Sequence, residues 1–176
     1  LGSLRSYAAT DQRLLAVMPQ QWTYEQASAM PTTWVTVWTA LEEGVQLCSG
    51  CNVLVQAGSG GVGLVAVQLA QQAGVLVHST AGSATKQAYV RALGVCMLSS
   101  TRNGTVFAAE MRWMLGDQDH FAAVLNSLSH DDYIPVAVDL LCKNGKFVEI
   151  GKRGIRSRMQ MASGHVGYKV VAVDTL

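Results

Sequence analysis

Asn52-Val-Leu-Val-Gln-Ala-Gly-Ser-Gly-Gly-Val-Gly-Leu-Val-Ala-Val-Gln-Leu-Ala-Gln-Gln-Ala-Gly74 sets a short apolar strand, a glycine turn and an amphipathic helix in immediate succession. Gly58, Gly60 and Gly63 stand at G-x-G-x-x-G spacing. The first glycine of such a turn permits the tight bend, the second lets backbone approach a pyrophosphate, and the third lets the helix pack on the strand. Phosphates then sit on the free N–H groups of the helix start. The same turn can also simply join a buried strand to a helix. Val62, Val65, Ala66, Leu69 and Ala73 recur at helical spacing, and Gly74 closes the helix at a C′ position.

Outward from this unit the pattern is regular. The sequence predicts strands at 53–57, 75–80, 95–98, 121–126 and 146–150, alternating with helices at 62–73, 84–93, 105–115 and 134–142. Strict alternation of this kind implies an α/β fold, a Rossmann-type doubly wound parallel sheet with helices on both faces. Gly74, Gly94, Gly116 and Gly145 each follow a predicted helix as a stop. Upstream, 6–10 and 14–18 read as short strands, Thr23 opens a short helix, and after Pro31 a separate helix at 34–42 packs beside the glycine turn. A last strand is expected at 169–173, after a basic stretch from Lys152 to Arg158.

The 176 residues suit one domain and bury a sizeable core, and two full domains are not expected. Only 14% are charged, against about 25% for an average globular protein, so the surface is expected to meet other protein. A net charge of +1 gives no field to hold nucleic acid or an anionic membrane as a primary partner. No apolar run approaches the roughly 20 residues of a spanning helix. The chain begins with Leu and reads as a piece of something longer. Cys48-Ser-Gly-Cys51 is a C-x-x-C, but one pair cannot complete a four-cysteine zinc site, and Cys96 and Cys142 lie far apart. The thiols are expected to be reduced, as packing residues or in the loop before the strand, with no metal site.

An NAD site places Asp or Glu about 20 residues past the glycines to take the ribose hydroxyls. Here the end of the second strand reads His78-Ser-Thr-Ala-Gly-Ser83, without a carboxylate. Lys86 follows in the first turn of the next helix, and Arg102 comes just after the third strand. Cations there accommodate a 2′-phosphate that an acid would repel, so NADPH is favoured over NADH. Ser83 serves as N-cap, as phosphate ligand, or as both. The plainer reading of Lys86 and Arg102 is an ordinary solvated charge.

With these residues in hand the chain resembles the enoyl reductase domains of modular polyketide synthases and animal-type fatty acid synthases, within the medium-chain dehydrogenase/reductase and quinone oxidoreductase group. The resemblance rests on Ala57-Gly-Ser-Gly-Gly-Val-Gly63, Thr80-Ala-Gly-Ser-Ala-Thr-Lys86, Ala92-Leu-Gly94, Val124-Leu-Asn-Ser-Leu128 and Gly145-Lys-Phe-Val-Glu-Ile-Gly-Lys152, with Ala29-Met-Pro31 and Thr36-Val-Trp-Thr-Ala-Leu41 upstream. It implies hydride transfer from NADPH to the β-carbon of an α,β-unsaturated thioester on an acyl carrier protein, then protonation at the α-carbon. By position it implies that Gly58, Ser59, Gly60, Gly61, Val62 and Gly63 hold the pyrophosphate, and Ser83, Lys86 and Arg102 the 2′-phosphate. Asn126 and Gly151 would lie near the nicotinamide, with Thr36 lining the same pocket. It further implies a zinc-independent cytoplasmic protein, neighbouring synthase domains, and a homodimer paired through the last strand's edge. Residues 1–20 would be the end of a GroES-like substrate domain, and 21–176 the nucleotide-binding domain.

Two departures stand out. Where relatives carry a lysine after Leu-Asn-Ser-Leu, this chain has Ser129-His-Asp-Asp-Tyr133, and where they carry an aspartate after Gly-Lys it has Gly154. The catalytic proton donor is therefore unassigned, with His130, Asp132, Tyr133 and water all open. Most of the acyl pocket is absent, so the chain alone is expected to hold NADPH but turn over enoyl thioesters poorly. The alternatives are a quinone or enone reductase acting on free small molecules, and a degenerate reductase kept as a scaffold.

Overall fold

The structure, a computed structural model, describes residues 6–42, 44–45, 47–95, 97–116, 120–128, 132–151, 153–161 and 166–172. It divides into two compact units, Leu1–Pro31 and Thr32–Leu176.

The second unit holds a six-stranded, wholly parallel sheet in the order β3-β2-β1-β4-β5-β6. Its strands are β1 (Asn52–Val55), β2 (Leu76–Ala81), β3 (Met97–Ser100), β4 (Phe121–Asn126), β5 (Leu141–Glu149) and β6 (Gly167–Val170). The helices are α1 (Tyr24–Leu41), α2 (Gly61–Gln72), α3 (Ala84–Ala92), α4 (Gly104–Leu115), α5 (Tyr133–Asp139) and the single turn α6 (Arg158–Met161). Strand residues alternate between two cores. Val53, Val55, Ala123 and Leu125 join Val37, Leu41, Val65 and Leu69 on one face. Leu54, Val124 and Phe147 join Phe107, Met111, Tyr133 and Ile134 on the other. Burial on both faces is what the near-continuous apolar strands require.

Local chemistry sets the boundaries. Asn103 caps α4, its Oδ1 accepting from the Val106 N–H at 3.0 Å, and Gly116 ends that helix at φ 71°. Gly74 and Gly94 take the same left-handed conformation, φ 73° and 90°, after α2 and α3. The expected stop at Gly145 is corrected: α5 ends at Asp139, and Gly145 lies inside β5. There Asn144 takes the positive φ of 67°, and the register shifts between Phe121↔Leu141 and Ala123↔Lys146. An irregular strand start was thus read as helix end, because a bulge breaks the period-2 pattern.

Two upstream expectations are also corrected. The helix after Thr23 and the one after Pro31 are one helix, α1, with Pro31 inside it. Thr23 and Gln26 form a capping box at its start, the Thr23 N–H donating to Gln26 Oε1 at 3.0 Å and the Gln26 N–H to Thr23 Oγ1 at 3.2 Å. An interior proline costs about 3 kcal/mol. Val37, Ala40 and Leu41 are fully buried, and an aliphatic side chain of that size gives back about 1.5–3 kcal/mol on burial. In the first unit, 6–10 and 14–18 form no strand; a 3-10 turn at Gln12–Leu14 stands between them, capped by Asp11. Leu14 and Val17 are exposed, and a short apolar run with no strand beside it has no ladder to satisfy its backbone.

The thiol expectation is corrected as well. Cys48 and Cys51 form a disulfide, while Cys142 is free. The loop before β1 folds back, the Cys51 N–H donating to Cys48 O at 3.2 Å, and the Cα atoms come to 5.7 Å, inside the bridging range. Among the described residues no helix is long and apolar enough to cross a membrane.

Candidate functional site

The strand order reverses between β1 and β4, and open parallel sheets bind ligands at such a switch point, outside the C-terminal strand ends. The glycine turn stands there. Ala57 takes φ 52°, its N–H donating to Thr80 Oγ1 at 2.9 Å, while the Gly58 N–H donates to Thr80 O at 3.0 Å and the Gly60 N–H to Ala57 O at 2.9 Å. β2 thus fixes the turn through Thr80, and also through Ser79, whose hydroxyl donates to Val55 O at 2.7 Å.

The glycines are required by close approach. A Cβ on Gly63 would lie 2.4 Å from Ala57 O and 2.7 Å from Gly58 Cα, and one on Gly58 would overlap the Ser79 side chain. Gly60 is the N-cap of α2, so Gly61, Val62 and Gly63 form the first helical turn, with Ser59 and Gly60 leading into it. Their N–H groups and the positive end of the helix dipole suit an anion. The structure thus brings Gly58, Ser59, Gly60, Gly61, Val62 and Gly63 together as one cradle.

Arg102 reaches the loop that carries Ser83, and Lys86 follows in the first turn of α3. Ser83 caps α3, its hydroxyl accepting from the Lys86 N–H at 3.4 Å. Arg102 folds from the end of β3 onto the β2–α3 loop, its Nε donating to Gly82 O at 3.1 Å. A Cβ on Gly82 would come 2.8 Å from Thr101 Oγ1 and 3.2 Å from Arg102 Nε, so this glycine is what lets the guanidinium in. The loop from Ala81 to Lys86 offers hydroxyl and cationic groups and no carboxylate. Arg102 is exposed and is anchored at the loop through this one backbone hydrogen bond.

Asn126 and Gly151 meet on a residue that the sequence reading did not select. Glu149 is 1% exposed; its Oε2 accepts from Asn126 Nδ2 and its Oε1 from the Gly151 N–H, both at 2.6 Å. Burial pushes the Glu149 carboxyl above the usual range, against the pull of the hydrogen bonds from Gly151 and Asn126. Gln56, just past β1, was missed too: its Oε1 accepts from the N–H groups of Ser127 and Leu128 at 3.3 and 3.2 Å. The signal for both was a polar residue at the end of an otherwise apolar strand. Thr36 is buried on α1, its hydroxyl donating to Thr32 O at 2.7 Å, and the same helix lays the Thr33 methyl 3.4 Å from where a Gly61 Cβ would stand.

Of the open proton donors, His130 lies outside the described residues, as does Lys152. Asp132 is exposed at the start of α5. Tyr133 is a core residue, fully buried with its ring 5.0 Å from Phe107. A cavity of about 520 Å³ lined by Asn52, Leu76, His78, Met97 and Met114 lies at the other end of the strands, away from the cradle. Among the described residues no three His, Cys, Asp or Glu side chains gather as a metal site.

The profile of the zinc-binding dehydrogenase family matches residues 61–173, and the chain belongs to that family. Within it the likeness is to polyketide synthase reductases. The spectinabilin polyketide synthase system protein NorB of Streptomyces orinoci is 38% identical over 99% of this chain, which spans 8% of that protein. The CurK enoyl reductase superposes with a TM-score of 0.88 at 32% identity, covering 94% of this chain and 49% of that one. The nucleotide-binding subdomain of the enoylreductase domain of PpsC from Mycobacterium tuberculosis gives 0.73 at 30% identity, covering 82% of this chain and 81% of that one.

Proposed function

We propose that the chain is the NADPH-binding part of a polyketide or fatty acid synthase enoyl reductase. The observation that carries the cofactor choice is Arg102 anchored on Gly82 O beside Ser83 and Lys86, at a strand end without an acid. Bound in this site, NADPH would supply hydride to the β-carbon of an α,β-unsaturated thioester presented by an acyl carrier protein. The first turn of α2 holds the pyrophosphate, and Ser83, Lys86 and Arg102 hold the 2′-phosphate. Asn126 and Gly151, tied through Glu149, line the nicotinamide end, and Thr36 faces it from α1. The proton donor is left among His130, Asp132 and water, since Tyr133 is core and Gly154 brings no acid. The surrounding synthase domains in the cytoplasm are the partners, with β6 as the edge through which two copies pair.

Titration with NADPH and NADH, followed by nicotinamide fluorescence, tests this reading. Wild type should prefer NADPH, and Lys86→Ala or Arg102→Ala should each weaken NADPH about tenfold while leaving NADH nearly unchanged. Equal affinity for both cofactors in wild type would refute the 2′-phosphate site. Absence of binding to either would favour the second reading, a degenerate reductase kept as a scaffold, which Gly154 in place of an aspartate supports.

A further inference from the structure

We propose that Glu149 is a positioning residue that sets the polarity of the Asn126 amide for the nicotinamide half of the nucleotide. The inference rests on the NADPH reading above and deepens it.

A carboxylate only accepts hydrogen bonds. Glu149 spends one oxygen on the Gly151 N–H and the other on Asn126 Nδ2. Asn126 must therefore turn its NH₂ group toward Glu149, which leaves Oδ1 as its free end. That atom is buried and has no hydrogen-bond partner among the described residues. Gln56 shows the opposite polarity: the backbone N–H groups of Ser127 and Leu128 hold its Oε1, and its Nε2 is the buried end without a partner.

These residues occupy neighbouring places. Val55 pairs with Leu125 and Asn126 with Glu149, so Gln56, Asn126 and Glu149 follow one another across β1, β4 and β5 at one level of the sheet. By strand alternation all three share the face of Leu54, Val124 and Phe147. They stand at the C-terminal ends of β1, β4 and β5, with Gln56 and Asn126 on either side of the point where the strand order reverses. A buried amide left unsatisfied costs about 1–3 kcal/mol, and two such ends at a ligand crevice are accounted for by a ligand that completes them. The nicotinamide half carries donors, in its carboxamide NH₂ and ribose hydroxyls, for which an oxygen at Asn126 is the fitting partner. A Cβ on Gly151 would come 2.6 Å from Glu149 Oε1, so glycine at 151 is what allows the carboxylate to hold both segments at once.

Polarity separates this role from plain support. In Glu149→Gln the side chain keeps its shape, accepts from the Gly151 N–H through its oxygen, and presents NH₂ to Asn126. Asn126 then flips and offers a donor where it had offered an acceptor. In the double variant Asn126→Asp with Glu149→Gln, the same bond forms with donor and acceptor exchanged, and an oxygen again stands at the free end.

The three forms of the 176-residue chain would be titrated with NADPH and with 2′,5′-ADP, which carries the adenosine and 2′-phosphate but no nicotinamide. Glu149→Gln should bind 2′,5′-ADP within about twofold of wild type and NADPH about tenfold more weakly, with the double variant recovering most of that loss. Unchanged NADPH binding in Glu149→Gln, loss of both probes together, or a double variant no better than the single would overturn the proposal. Wild type binding neither probe would remove the nucleotide reading and this inference with it, whereas wild type binding both while Glu149→Gln is silent would remove the inference alone.

Discussion

Gly63→Ala tests a tight backbone contact within the glycine turn. The added methyl would lie 2.4 Å from Ala57 O, 2.7 Å from Gly58 Cα and 3.0 Å from Ala57 C. All three atoms are backbone, so no rotamer change relieves them. Ordinary carbon contacts are about 3.5–4.0 Å, so the start of α2 must back away from the turn by about 1 Å. The Gly60 N–H bond to Ala57 O at 2.9 Å and the Leu64 N–H bond to Gly60 O at 2.8 Å resist that movement. Overpacking of this kind costs about 1–3 kcal/mol, and immovable neighbours put it at the upper end. Exchanging glycine for alanine within a helix returns about 1 kcal/mol. A net loss of about 2 kcal/mol follows, read as a lower urea midpoint at unchanged slope. Gly61→Ala is the control: it lies two residues earlier in the same helical turn, and its nearest neighbour is the Thr33 methyl at 3.4 Å. That variant should stay within about 0.5 kcal/mol of wild type. If Gly63→Ala proves as stable as Gly61→Ala, the helix start is not held against the turn as described.

Removing the cap of α4 in Asn103→Ala should cost about 1 kcal/mol, seen as a drop in Tm, since the Val106 N–H loses its partner. Glu149 has a folded pKa above its unfolded value, so the native state keeps the proton longer and stability falls as pH rises from the ordinary carboxylate range through the raised value. Glu149→Gln cannot titrate, and its stability relative to wild type should climb over that interval in urea midpoints taken at stepped pH; a flat difference would contradict the assignment.

The parallel-sheet unit of this molecule was legible because short-range chemistry decides it. The strand, the G-x-G-x-x-G turn and the helix stops at Gly74, Gly94 and Gly116 are each written within a few residues, and all of them stand where the spacing put them. What failed depended on partners distant in the chain. The short runs at 6–10 and 14–18 form no strand, and α1 runs through Pro31 where local propensity alone would break it. The C-x-x-C was read as thiols, although its loop brings the two sulfurs together. Asn126 and Gly151 were picked by resemblance, yet the residue joining them, Glu149, sits inside the apolar run Phe147-Val-Glu-Ile150, where its polarity alone did not say which segments it joins. A buried carboxylate between two loops is a tertiary fact, visible only once β4 and β5 are side by side.

The strand order also fixes a sequence of events during synthesis. β1 precedes the other strands of this sheet in the chain, yet it lies in the interior of the sheet, with β2 on one side and β4 on the other. When a ribosome has released β1, α2, β2, α3 and β3, only one edge of β1 can be covered. Its other edge, carrying Val53, Leu54 and Val55, stays open until Phe121–Asn126 emerges. At about 5–20 residues per second that interval lasts seconds, long enough for an apolar strand edge to meet another nascent chain. Chaperone dependence should therefore peak in that window and end once β4 has docked.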